Sequence, residues 1–164
     1  MIAETWISVD VEASGPTPAT GSLIALGACL VGRPEQGIEL LREGLEPAAA
    51  MEAFETWLVQ VVPDGSRPVF VALNAPFDWM FVADAAWRHL GRNPFGASAL
   101  DLKALYLGRH LDTVDRWRDT SRLRMLERYP VGLPHTHHAL DDAREQAAIC
   151  RAILAGAREG GSPG

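Results

Sequence analysis

From Thr5 to Val11 the chain alternates with a period of two, Ile7, Val9 and Val11 on one side and Ser8, Asp10 and Glu12 on the other. Such a segment reads as a strand with one apolar face and one face carrying two carboxylates. SGPTPATG then punctuates the chain, and the run SLIALGACLVG predicts a second strand, with a glycine bulge as an option. Gly37 to Arg42 predicts a third strand, so the chain opens as an antiparallel meander. After the meander the period changes. Met51, Phe54, Trp57, Leu58 and Val61 recur at three- and four-residue steps, predicting a helix from Ala50 to about Val61, stopped by Pro63, Asp64 and Gly65. PVFVAL is short, β-branched and apolar, as a buried central strand would be, and a helix is expected from near Pro76 towards Leu90. Arg92 to Ser98 reads as a loop, Ala99 to Asp101 as a short strand and Leu102 to Leu107 as a helix. An arginine-rich helix is predicted from about Thr113 to Arg128. Leu140, Ala143, Ala147, Cys150 and Leu154 keep helical phase in a last helix expected to pack on the sheet. A meander followed by alternating helix and strand gives the α/β class, a mixed sheet covered by helices.

With 164 residues, 48% of them apolar, one sizeable core can close but not two. A single domain over residues 1–156 is expected, with a disordered tail at 157–164. The net charge of −6 argues against a sequence-independent nucleic-acid coat, which needs a broad basic surface. It does not exclude an enzyme that touches a few nucleotides, because cations held by converging acids reverse the local field. Cys29 and Cys150 lie far apart and suggest neither a zinc cluster nor a disulfide framework. The longest apolar stretch, Leu23 to Val31, is too short to cross a bilayer as a helix. No basic segment followed by an apolar run opens the chain, so no membrane contact and a cytoplasmic location are expected.

Two carboxylates two apart on a strand project from one face, so Asp10 and Glu12 can reach a common cation, or can simply form the polar face of an amphipathic strand. Asp78 follows the apolar strand within the first turn of the next helix, where sites collect in open α/β sheets and where an acid also favours the helix dipole. Asp141 and Asp142 open the last helix, and either can be an N-terminal charge. His135, His137 and His138 lie just upstream; no further ligand completes a tetrahedral zinc set, and a surface cluster is the alternative. Four carboxylates from separated segments with a nearby histidine supply what phosphodiester hydrolysis requires. Two Mg²⁺ ions roughly 3.5–4 Å apart can activate a water and stabilise a leaving 3′ oxygen, oxygen ligands suit Mg²⁺ or Mn²⁺ better than zinc, and a histidine can accept the water's proton near neutral pH.

Three segments in order, DVEASG, LNAPFD and HHALDDA, resemble the motifs of the DEDDh (DnaQ-like) exonuclease family. The resemblance spans about 140 residues and implies a ribonuclease H-like fold with a mixed five-stranded sheet flanked by helices. The family spacing of histidine, four residues, aspartate selects His137 with Asp142 over His138 and Asp141. It further implies that Asp10, Glu12 and Asp142 hold one divalent cation, that Asp10 bridges to a second supported by Asp78, and that His137 is the general base. The implied activity is a 3′–5′ exonuclease releasing nucleoside 5′-monophosphates from single-stranded DNA or RNA 3′ ends with two Mg²⁺ or Mn²⁺ ions. A second copy of the chain or a polymerase is the implied protein partner. Two positions depart from the family pattern: Pro16 stands where relatives often carry a bulky apolar wedge, and Leu73 replaces a frequent histidine. The competing functions are a catalytically silent binding or scaffolding module of the same fold and a phosphoesterase acting on small nucleotides. Arg109, Arg116, Arg118, Arg122, Arg124 and Arg128 can guide phosphates, but interspersed Asp112, Asp115, Asp119 and Glu127 favour a solvated face. Phe77 and Trp79 can stack on a base, although helix-start positions beside a buried strand favour core.

Overall fold

The computed structural model describes residues 2–40, 45–133 and 136–159, with side chains described to residue 156. Its sheet has five strands in the order β3-β2-β1-β4-β5. The expected meander is there: β1 (Ala3–Ala13), β2 (Leu23–Leu30) and β3 (Arg33–Leu40) pair antiparallel. β4 (Ser66–Ala72) and β5 (Ala99–Asp101) then add parallel strands beside β1. Helices α1 (Pro47–Val61), α2 (Ala75–Leu90), α3 (Leu102–Arg109), α4 (Arg122–Arg128) and α5 (Ala139–Glu159) complete the chain.

The alternation in β1 decides what lies on each face of the sheet. Ile7, Val9 and Val11 are buried in the cluster that includes Phe54 of α1 and Phe81 and Val82 of α2. On the opposite face, Cys29 and Val71 pack with Ala143, Ala147 and Cys150 of α5. Ser8 pairs in register with both Cys29 and Val71, so Ser8, Asp10 and Glu12 lie on the α5 face. Both cysteines are free and buried there, and burial pushes the Cys29 thiol up to about 12 and the Cys150 thiol up to about 11, which makes them inert packing groups.

Three sequence expectations change. β3 begins at Arg33 rather than Gly37, because the turn at Val31 and Gly32 returns the chain at once and Leu30 pairs with Arg33. As an edge strand it tolerates Pro34; its expected extension to Leu41 and Arg42 lies outside the described residues. The predicted arginine-rich helix from Thr113 is broken into a 3₁₀ turn at Trp117–Thr120 and the short α4. Ser121 is the reason: its backbone is extended (φ −68°, ψ 155°) and its hydroxyl accepts from the Arg124 N–H, capping a new helix. Gly27 is not a bulge; the register shifts lie at Glu12/Ala13 and Cys29/Leu30. α5 runs to Glu159, and the rest of the expected tail lies outside the described residues.

Candidate active site

β1 is longer than its parallel neighbour. The β1–β4 ladder ends at Ser8 and Val71, so the last residues of β1 run past β4 with an open edge. The chain leaving β4 fills that edge. Asn74 takes a left-handed conformation (φ 65°, ψ 46°), which asparagine tolerates better than most residues, and its N–H donates to Asp101 Oδ1 at 3.1 Å. The turn starts α2 so that Asp78, only 4% exposed, comes beneath β1 and accepts the Val11 N–H at 3.0 Å. Asp78 is thereby fixed to the peptide between Asp10 and Glu12.

The third segment arrives from the other side. Gly27 lies directly opposite Asp10 in the β1–β2 register. A Cβ on it would stand 2.0 Å from the Ala139 carbonyl carbon and 2.1 Å from the Leu140 nitrogen. The bare glycine therefore lets the first turn of α5 rest on the sheet, which brings buried Asp142 towards Asp10. Gly27→Ala is expected to force α5 outward and to cost about 1–3 kcal/mol, measured by urea unfolding. A parent-like midpoint would show that the helix has room to spare.

In the last motif, one oxygen each of Glu12 and Asp142 and one ring nitrogen of His137 lie within 4.8 Å of one another. His137 is exposed and holds a positive φ of 56°, a conformation that costs a non-glycine residue about 1–3 kcal/mol and concentrates at functional sites. Asp142 accepts the Thr136 N–H at 3.3 Å. Its neighbour Asp141 is engaged outward, with the Thr136 hydroxyl at 3.2 Å and Arg144 at 3.3 Å. His135 lies outside the described residues.

Electrostatically the cluster is unfavourable as it stands. The Asp10 carboxyl is pushed up to about 8, first by burial and then by the charges of Asp78, Asp142 and Glu12, against one opposing hydrogen bond from Gln146. Burial also lifts Asp78 to about 7, with Glu12 and Asp101 adding to it and the Val11 N–H opposing. Carboxylates converging in this way fit a divalent cation with oxygen ligands.

The other candidate contacts largely follow the readings the sequence favours. Trp79 packs edge-on against Phe70 and Phe77 against Phe81, so both serve the core. Among the arginines, Arg124 pairs with Glu127, and Arg116 and Arg118 with neighbouring aspartates, as a solvated face would. Three reach further along the chain: Arg109 donates to the Gly156 carbonyl, Arg128 donates to the Thr113 hydroxyl, and Arg122 makes a two-point ion pair with Glu145, whose side chain is 2% exposed. Gln146, next along α5, contacts Asp10 directly at 2.5 Å. The sequence reading singles out neither Glu145 nor Gln146; the available signal for Gln146 is its place one helical turn beyond Asp142.

No family model matches the chain. The 3′–5′ DNA exonuclease Cap18 of Escherichia coli is 37% identical to it over 92% of this chain and 91% of that protein. Among solved structures, the nuclease domain of 3′hExo, a DEDDh family member bound to rAMP, aligns with a TM-score of 0.64 at 10% identity, covering 96% of this chain and 94% of that one. Cell-death related nuclease 4 aligns with a TM-score of 0.68 at 14% identity, covering 94% of this chain and 65% of that one. With the three motifs gathered at one end of a five-stranded sheet of this kind, and a relative matching along nearly its whole length, the chain belongs to the DEDDh family of 3′–5′ exonucleases.

Proposed function

We propose that residues 1–156 act as a single exonuclease domain that removes nucleotides from the 3′ end of single-stranded DNA with two Mg²⁺ or Mn²⁺ ions. The observation that carries this reading is the convergence of Asp10, Glu12, Asp78 and Asp142 on one another beside His137. DNA is preferred over RNA because the relative matching nearly the whole chain is named a DNA exonuclease. Asp10, Glu12 and Asp142 would hold one cation, and Asp10 with Asp78 the second. The cations would supply positive charge to the scissile phosphate and to the leaving 3′ oxygen. An imidazole nitrogen of His137 takes a proton from the attacking water, whose oxygen bonds to phosphorus as the P–O3′ bond breaks, and the leaving O3′ takes up a proton from solvent. The products are a nucleoside 5′-monophosphate and a chain shortened by one nucleotide with a new 3′ hydroxyl.

Digestion of 5′-labelled single-stranded DNA and RNA of matched sequence, with Mg²⁺, Mn²⁺ or EDTA, tests this. The expected result is a ladder shortening from the 3′ end, absent in EDTA and stronger on DNA. Binding without cleavage would replace the reading with a silent module. Hydrolysis confined to mononucleotide-sized substrates would replace it with a small-nucleotide phosphoesterase.

A further inference from the structure

Asp10 is asked to face two cations, yet its carboxylate sits amid three other acids, whose repulsion alone would let it rotate away. The Gln146 side chain amide donates to one of its oxygens, Oδ1, at 2.5 Å. The direction of that bond is fixed from the far end. Gln146 Oε1 accepts the Leu73 backbone N–H at 2.8 Å, and since a peptide N–H can only donate, the amide oxygen must face Leu73 and the NH₂ must face Asp10. Gln146 is 5% exposed and so has little freedom to leave. It ties α5, the residue following β4, and β1 into one arrangement.

We propose that Gln146 is the positioning residue that decides which oxygen of Asp10 meets the cations, holding Oδ1 and leaving Oδ2 presented. The proposal rests on the metal-dependent reading above and adds to it a residue outside the five of the motifs. The donor is neutral for a physical reason. A lysine or arginine in its place would cancel the charge of Asp10 and compete with the cation, whereas an amide orients the carboxylate and leaves its charge available. The neighbouring buried Glu145 is paired with Arg122.

The test compares Gln146→Met, which keeps the length of the side chain and loses both hydrogen bonds, with Gln146→Asn, whose amide is too short to span Leu73 and Asp10. Mn²⁺ binding is read by calorimetry, folding by melting in EDTA, and oligonucleotide turnover as separate kcat and KM. Mn²⁺ affinity is expected to fall by about 10–100-fold, the usual effect of removing a residue that orients a metal ligand. The rate loss should lie in kcat with KM for the oligonucleotide within a few-fold. A parent-like Mn²⁺ affinity in a folded variant overturns the proposal whatever the rate. If the parent binds Mn²⁺ and the variants bind it more weakly while none of them cleaves, the positioning role stands and the exonuclease reading falls. Should Gln146→Met fail to fold, the smaller Gln146→Asn carries the same comparison.

Discussion

Asp10→Asn is expected to stop turnover while making the metal-free protein more stable. Both effects have one cause. The folded Asp10 carboxyl titrates at about 8 against an ordinary value of 3.8, so the folded chain holds that proton more tightly than the unfolded chain does. Stability from this group is fully present below pH 4 and is lost as pH rises towards 8. Asp78, raised to about 7, acts in the same direction. The metal-free parent should therefore melt at a lower temperature at pH 8.5 than at pH 5, with Mn²⁺ restoring much of the loss. Asn in place of Asp10 keeps an oxygen that can accept from Gln146 and removes the charge. In EDTA the variant should melt above the parent at pH 8.5, each kcal/mol of relief being worth roughly 2–4 °C for a chain of this size. Its turnover should fall on the order of 10²–10³-fold or beyond, the scale seen when one preorganised electrostatic group is removed. A folded Asp10→Asn that degrades oligonucleotides at the parent rate would overturn the assignment of Asp10. A parent whose melting temperature does not change across that pH range would show that the four acids are not packed as described.

What was legible in the sequence divides along the range of the interaction. The two-residue period of β1 placed Asp10 and Glu12 on one face because side chain direction in a strand is a local matter. Asp78 was legible because an acid soon after a central apolar strand must fall near the strand's carboxyl end. The break at Ser121 was also local, yet the arginines around it keep good helical propensity, and a serine inside such a run hides a capping role. Gln146 and Asp10 are 136 residues apart, and Arg122 and Glu145 belong to different helices, so no local period can announce either pair. Gly27 was visible as a glycine in an apolar strand, but the reason for it is the backbone of α5 more than 100 residues later.

His137→Ala should reduce the rate by about 10²–10⁴-fold, the range for losing a positioned general base, with Mn²⁺ affinity changed by no more than a few-fold. The second half of that expectation is the discriminating one, because His137 shares a 4.8 Å cluster with Glu12 and Asp142 and so has the reach of a ligand as well as of a base. A matching collapse of Mn²⁺ affinity would make it a ligand. The backbone complicates the substitution: at a φ of 56° alanine bears a strain that asparagine largely avoids. His137→Asn therefore serves as the control. If the imidazole is what matters, the asparagine variant stays as slow as the alanine one; if the left-handed turn is what matters, asparagine restores the rate. His138→Ala should remain within a few-fold of the parent, since the neighbouring ring is not the one brought to Glu12 and Asp142 in that cluster. A large loss in His138→Ala with little in His137→Ala would shift the pairing of histidine and aspartate by one residue, and the base with it.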